Sequence, residues 1–295
     1  MTQQSEELLT PDFLRKIEHL SLVAKRVFAG QMRGERRSTK RGASVEFADY
    51  RNYTAGDDFR RVDWNVYARL EKLFMKLFVE EEDLHVYILI DVSRSMEFGE
   101  PSKLLYAKQI AAALSYIGLC NLDRVGLAAL AGPSISLLSP KRGKQAAFGV
   151  FDWLSNVQAA GETDLAACVR DFSLRTAQPG IVIVLSDFLS TTYQQALITL
   201  LSRKFEPVIL HILDHNEVEP PLVGDLLLVD SETGERREVT ITQTLLRKYQ
   251  QRLANFFVEI ESFSTRYGCS YVRVTNDAPF EDLILGYLRQ RALLK

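Results

Sequence analysis

Residues 84–95 read LHVYILIDVSRS, and this run sets the architecture that we expect for the chain. Its first seven residues form an almost continuous apolar segment, which is typical of a strand buried on both faces of a parallel sheet. Residues 102–119 follow with apolar side chains at helical spacing, so the motif Asp-x-Ser-x-Ser at 91–95 lies in a strand-to-helix loop. Ligand crevices of open α/β sheets lie at such loops.

Strand and helix patterns go on alternating after this loop. Strand patterns occupy residues 84–90, 124–130, 181–186, 207–213 and 270–275. Helix patterns occupy residues 102–120, 144–158, 164–176, 191–204, 242–267 and 279–292. This alternation predicts an α/β fold with a mostly parallel, Rossmann-like sheet covered by helices on both faces. Residues 224–241 interrupt it with two β-rich segments around a Ser-Glu-Thr-Gly turn, which predicts a hairpin insertion.

The N-terminal part of the chain has a different pattern. Thr10 and Pro11 are suited to begin a helix, whose apolar face continues to Gly30. Residues 33–41 are strongly basic, and residues 42–80 are rich in aromatic residues and β formers, so we expect short strands there. We therefore predict two parts: an N-terminal helix with a small β module at 1–82, and the α/β domain at 83–295.

Composition narrows the class of protein. Hydrophobic residues make up 46% of the 295 residues and charged residues 25%, as in ordinary globular proteins. The formal net charge of -2 gives no overall attraction to nucleic acid or to anionic lipid. The sequence contains no apolar run of the roughly 18 residues that a membrane helix needs, and it begins with an acidic segment. Its three cysteines are far apart, as is usual for reduced thiols, so we expect a soluble, cytoplasmic protein.

Oxygen-bearing side chains follow several of the predicted strands. The motif at 91–95 supplies one carboxylate and two hydroxyls, a Gly-Glu-Thr-Asp loop precedes the helix pattern at 164–176, and a carboxylate follows the strand pattern at 181–186. Because the carboxyl ends of parallel strands meet at one edge, we expect these groups to converge. An all-oxygen set suits Mg²⁺ or Mn²⁺. The candidate metal-site residues are Asp91, Ser93, Ser95, Thr163 and Asp187.

Other interpretations of the same residues remain open at this point. Asp91 could cap the helix that follows it, or it could be the nucleophile of a magnesium-dependent phosphohydrolase. Haloacid-dehalogenase-type phosphatases use Asp-x-Asp, however, and Ser93 stands where the second carboxylate would be. The basic segment 33–41 could bind nucleic acid. The aromatic block 46–69 carries four arginines against five acidic residues, so it adds no net positive field to such a surface.

The combination of Asp91, Ser93, Ser95, Thr163 and Asp187 resembles the metal-ion-dependent adhesion site (MIDAS) of von Willebrand factor A domains. Three N-terminal segments are also similar to the family called domain of unknown function fifty-eight. They are Glu-Phe-Ala-Asp-Tyr-Arg-Asn-Tyr at 46–53, Gly-Asp-Asp-Phe-Arg at 56–60 and Val-Asp-Trp at 62–64. Members of this family are often encoded beside MoxR-type AAA+ ATPases.

The resemblance implies a von Willebrand factor A-like fold and a binding function without catalysis. It implies that Ser93 and Ser95 coordinate the cation directly, that Thr163 does so in some states, and that Asp91 and Asp187 act mostly through water. An open coordination position would accept a Glu or Asp carboxylate from a protein partner, and a MoxR-type AAA+ ATPase is the partner that the family suggests. The chain would then be an adaptor. Glu162 departs from the family pattern, in which a second glycine is common.

Overall fold

The structure is a computed structural model that describes residues 10–20, 46–54, 59, 62–79, 84–132, 134–222, 224–229 and 234–293. The basic segment 33–41, which carries the nucleic-acid hypothesis, lies outside the described residues. The chain divides into two compact units, Phe28–Asp83 and a larger unit made of Met1–Val27 and Leu84–Lys295.

A six-stranded sheet forms the centre of the larger unit. Its strands are β3 (His85–Asp91), β4 (Arg124–Ala131), β5 (Ser134–Lys141), β6 (Ile181–Ser186), β7 (Glu206–Leu213) and β10 (Ser270–Thr275). Their spatial order is β10-β7-β6-β3-β4-β5, and every neighbouring pair is parallel except β4 with β5. The prediction of a mostly parallel α/β sheet is confirmed. The antiparallel edge strand β5 was not predicted.

Helices cover both faces of this sheet. They are α3 (Lys103–Cys120), α4 (Ala147–Asn156), α5 (Leu165–Arg175), α6 (Tyr193–Ser202), α7 (His215–Val218), α8 (Gln243–Tyr267) and α9 (Phe280–Leu293). The apolar core on one face joins α5, α6 and α8 to the odd-numbered side chains of β3, Tyr87 and Leu89. On the other face, α3 packs against β3 and β4 and against α4 and α9. Apart from the four-residue α7, these helices fall within the predicted segments or end one residue beyond them.

The helix over residues 11–20, here α1, belongs to the larger unit. Its apolar face, formed by Phe13, Ile17 and Leu20, is buried. The Phe13 ring lies 5.3 Å from the ring of Phe280 at the start of α9. An ion pair between Lys16 and Glu281 also joins the two helices. The predicted boundary at 82 grouped this helix with the small β module, and the division of the structure differs because the helix packs on the α/β domain.

Two strands and one short helix make up the described part of the smaller unit. Strands β1 (Glu46–Asn52) and β2 (Phe74–Val79) pair in antiparallel fashion, as the β-rich composition predicts. Between them lies α2 (Trp64–Leu70), which was predicted as strand or loop. Its N-terminus is capped by Asp63, whose carboxylate accepts the backbone N–H groups of residues 65 and 66.

The hairpin predicted at 224–241 is present as β8 (Gly224–Val229) and β9 (Arg236–Ile241). The two strands pair in antiparallel register from end to end. Within the described parts of the chain, no helix has the length and apolar character needed to cross a membrane.

The burial of α1 gives a first test. The side chain of Ile17 is 1% exposed, so Ile17→Ala should lower the free energy of unfolding by about 2–4 kcal/mol through lost transfer energy and a cavity. His19, on the exposed side of the same helix, provides the control, and His19→Ala should change stability by less than about 0.5 kcal/mol. Urea unfolding followed by far-ultraviolet circular dichroism measures both. Equal midpoints for the two variants would contradict the assignment of α1 to the core.

Candidate metal centre

The ends of two central strands bring the candidate residues together. Strand β3 lies parallel to β6, with Ile90 opposite Leu185, so Asp91 and Asp187 leave the sheet at the same edge. Both aspartates are buried, and so is Ser93. Ser95 follows in a 3-10 turn, Arg94–Glu97, that leads towards α3. The parallel register therefore produces the convergence that the sequence predicts.

Hydrogen bonds hold both carboxylate oxygens of Asp91. The backbone N–H of Ser93 donates to Oδ1 at 3.0 Å, and the hydroxyl of Ser186 donates to Oδ2 at 2.6 Å. Ser186 Oγ in turn accepts the backbone N–H of Phe188 at 2.8 Å. Ser186 thus orients the carboxylate, although its place in the sequence indicates only the last residue of a buried strand.

A second chain of hydrogen bonds links the two motif serines to Asp187. Ser93 Oγ and Ser95 Oγ are 3.0 Å apart, and Ser95 Oγ donates to Asp187 Oδ2 at 2.7 Å. Since a hydroxyl has one proton and Ser95 gives it to a carboxylate, Ser93 must be the donor in the serine pair. The other oxygen of Asp187 accepts the backbone N–H of Leu189 at 3.1 Å. Together with Asp91, which accepts the Ser93 backbone N–H, these three residues form one polar group at the sheet edge.

Thr163 lies beside this group and bonds to the main chain. Its hydroxyl donates to the carbonyl of Leu130 at 3.2 Å, and the same carbonyl accepts the backbone N–H of Val92. Two backbone hydrogen bonds, Arg94 N–H to Gly161 O and Ala160 N–H to Val92 O, attach the Thr163 loop to the 91–95 loop. Thr163 is therefore near the serines without joining their hydrogen-bonded chain.

The next residue in that loop has a structural role. Asp164 caps α5, because its Oδ1 accepts the backbone N–H groups of Ala166 and Ala167 at 3.0 and 3.1 Å. The hydrogen bond from Ala167 is the main reason that the pKa of Asp164 is held below its usual range. Gly161 has a φ of 57°, a left-handed conformation that suits glycine and turns the chain towards this cap.

The two buried aspartates repel each other. Burial is the main cause that raises the pKa of Asp91, the charge of Asp187 adds to it, and the result is about 6 in place of the ordinary 3.8. The hydrogen bonds from Ser186 and Ser93 oppose this shift without cancelling it. Negative charge is thus held at the site at an energetic cost, which a bound cation would reduce.

A buried lysine that is not among the residues predicted from the sequence also contacts this site. Lys103 is the first residue of α3 and is fully buried, with its Nζ 2.8 Å from Asp187 Oδ2 and 2.5 Å from Glu217 Oε1. Burial alone would lower the pKa of Lys103, but the two carboxylates outweigh it and the pKa is raised. The pKa of Glu217 is also raised, in its case because burial disfavours the charged carboxylate. A cation in the first turn of a helix is unfavourable because of the helix dipole, and this unusual position of Lys103 is the feature of the sequence that indicates a special role.

The donor set is compatible with a small divalent cation. Neighbouring ligands of an octahedral ion with bonds of about 2.1 Å are roughly 3.0 Å apart, and the two serine hydroxyls have that separation of 3.0 Å. Among the described residues, no group of three or more His, Cys, Asp or Glu side chains could hold a metal. A cation at this edge would therefore depend on the hydroxyls of Ser93 and Ser95 as well as on carboxylates.

Two solved structures illustrate what this chain is similar to. Among solved structures, the conserved hypothetical protein BatB from Bacteroides thetaiotaomicron has a TM-score of 0.45 and 14% identity, covering 72% of this chain and 100% of its own. The VWA domain of SpRpn10 has a TM-score of 0.39 and 15% identity, covering 70% of this chain and 95% of its own.

The family itself is shown by sequence. The family described as protein of unknown function DUF58 matches residues 49–256, and the chain belongs to it, as the N-terminal segments predict. The uncharacterized protein Rv1480 of Mycobacterium tuberculosis is 26% identical over 240 residues, which cover 80% of this chain and 76% of the relative.

The raised pKa of Asp91 predicts how stability depends on pH in a chelating buffer. Between 3.8 and about 6 the folded chain keeps a proton on Asp91 that the unfolded chain releases, so the folded state loses relative stability as the pH rises through this window. Compared with Asp91→Asn, the wild-type free energy of unfolding should fall by about 2–3 kcal/mol from pH 4 to pH 7. Urea unfolding at several pH values measures this difference. A constant difference would contradict the raised pKa of Asp91.

Proposed function

We propose that this protein is an interaction module that binds a partner protein through a divalent cation, Mg²⁺ or Mn²⁺, at the edge of its central sheet. Ser93 and Ser95 would hold the cation directly and Thr163 would join them in some states. Asp91 and Asp187 would act mostly through water and hydrogen bonds. The hydrogen-bonded chain from Ser93 through Ser95 to Asp187 is the observation that carries the proposal.

Charge explains why such a cation would bind a partner. Hydroxyl ligands are neutral, so a cation held mainly by serines retains most of its positive charge and attracts a further anionic ligand. A Glu or Asp carboxylate from another protein is the ligand of this kind that a protein surface can offer. The partner's carboxylate would then complete the coordination.

The hydrogen bonding of Asp91 supports binding over hydrolysis. A nucleophilic carboxylate needs an oxygen directed at its substrate. Both oxygens of Asp91 accept hydrogen bonds, one from the Ser93 backbone and one from the Ser186 hydroxyl. The carboxylate is thereby held in a fixed orientation, as expected of a residue that organises a site for a cation.

The surface beside the site indicates the kind of partner. Phe98 and Leu189 are 50% and 55% exposed. The backbone N–H of Phe98 donates to the carbonyl of Ser95, and the backbone N–H of Leu189 donates to Asp187 Oδ1. A partner segment with apolar residues next to its Glu or Asp would fit such a rim. The family resemblance suggests that the partner is a MoxR-type AAA+ ATPase, with this chain as its adaptor.

A thermal shift assay tests the cation site. A ligand that binds only the folded state at a concentration of 100 Kd adds about 2.7 kcal/mol of stability, which should raise the melting temperature of the wild type by several degrees in Mg²⁺ or Mn²⁺. Ser93→Ala should show no such rise. Ser190→Ala is the matched control, because Ser190 also follows a central strand, β6, but its hydroxyl pairs with Thr192. Equal shifts for all three proteins would remove the support for this site.

A capture experiment tests the partner. The immobilised chain should retain a MoxR-type AAA+ ATPase, from the same genome, in Mg²⁺ and lose most of it in chelator, because the proposed bond needs the cation. The Asp91→Ala variant should behave in Mg²⁺ as the wild type does in chelator. Equal capture in both buffers would show that partner binding does not depend on the cation. Phosphoester hydrolysis that disappears in Asp91→Asn would favour an enzyme instead.

A further inference from the structure

Lys103 occupies a position that helix formation and burial both disfavour. It is the first residue of α3, where the helix dipole repels a cation, and its side chain is fully buried. Its ammonium group contacts two carboxylates from distant parts of the chain, Asp187 after β6 and Glu217 in α7. The sheet edge therefore already contains one positive charge beside the proposed cation site.

The contact with Asp187 fixes that carboxylate. Asp187 Oδ2 accepts hydrogen bonds from both Lys103 Nζ at 2.8 Å and Ser95 Oγ at 2.7 Å, while Oδ1 accepts the backbone N–H of Leu189. The lysine and serine bonds occupy Oδ2, so this oxygen could become a direct ligand of a cation only by giving up one of them. A divalent cation at the serines would also be repelled by the ammonium group nearby.

The second contact keeps Lys103 in place. Glu217 Oε1 accepts the ammonium group, and Oε2 accepts the backbone N–H of Asp214 at 2.8 Å in a capping box of α7. Asp214 is held in turn, since its Oδ1 accepts the backbone N–H of Asn216 and its Oδ2 accepts the side-chain N–H of Asn276. Lys103 is therefore held by a second carboxylate that is itself fixed by hydrogen bonds, which restricts its movement away from Asp187.

We propose that Lys103 sets the cation affinity of this site, by holding Asp187 out of direct coordination and by opposing the charge of the divalent cation. The inference rests on the proposed function. Its consequence is that the cation alone binds weakly, and that a partner's carboxylate supplies the negative charge that Asp187 does not. Lys103 is a positioning residue in this scheme, which links cation retention to partner binding.

The experiment is a titration of the full chain with Mn²⁺ alone, by calorimetry, on wild type, Lys103→Met and Lys108→Met. Lys103→Met should bind Mn²⁺ at least about tenfold tighter than the wild type, which corresponds to about 1.4 kcal/mol. Lys108→Met should match the wild type, because Lys108 is equally buried on the same helix but donates to the carbonyl of Val157. Damage to the fold would weaken binding, so a gain in affinity distinguishes the proposed role from a purely structural one.

The double variant Lys103→Met with Glu217→Gln covers the case in which Lys103→Met does not fold, because it removes the ammonium group together with the charge of one of its two carboxylate partners. The double variant should also bind Mn²⁺ more tightly than the wild type. Its melting temperature should rise more on addition of Mn²⁺ than that of the wild type. If the wild type binds Mn²⁺, Asp91→Ala does not, and the Lys103 variants bind no tighter, the inference is wrong and the proposed function stands. If neither the wild type nor any Lys103 variant binds Mn²⁺ above Asp91→Ala, both are wrong. Binding by the Lys103 variants alone supports the inference.

Discussion

Two buried carboxylates at the ends of neighbouring parallel strands impose the main constraint on this structure. The pairing of β3 with β6 sets Asp91 and Asp187 side by side, and burial together with their mutual repulsion raises the pKa of Asp91 to about 6. The polar groups around them compensate for this charge. Ser186 and the Ser93 backbone donate to Asp91, whereas Ser95 and Lys103 donate to Asp187. The sheet register thus places the two negative charges close together, and the residues of the adjoining loops and of α3 supply the groups that balance them.

Much of the fold could be predicted because its signals are local. Continuous apolar runs locate β3 and β6, and apolar residues at helical spacing locate α3, so the α/β class follows from short windows of sequence. The missed elements lack such a pattern. Strand β5 reads SISLLSPK, with a proline and with few of its side chains buried, as befits an edge strand. Helix α2 is seven residues long and has an exposed tryptophan, so it shows no apolar face.

The residues of the site also fall into those that a local sequence pattern indicates and those that it does not. The motif Asp-x-Ser-x-Ser is contiguous, and the strand before Asp187 is a clear apolar run, so these residues could be proposed from the sequence and the structure brings them within hydrogen-bonding distance. Lys103 reaches partners that are 84 and 114 residues away in the chain, and no local pattern predicts such contacts. Ser186 looked like the end of a buried strand, because a serine is small enough to be packed there without a polar role.

The two buried lysines of α3 differ in how their charges relate to the nearby helix dipoles. Lys108 donates to the carbonyl of Val157, the residue that ends α4, and a cation is favoured at a helix C-terminus. Lys103 has the opposite position, at a helix N-terminus, and buried ion pairs can often be replaced by apolar residues without loss of stability. What distinguishes Lys103 is its contact with Asp187, a residue of the proposed cation site. Its ammonium group therefore balances the charge of a carboxylate at that site, from a helix position that the dipole disfavours.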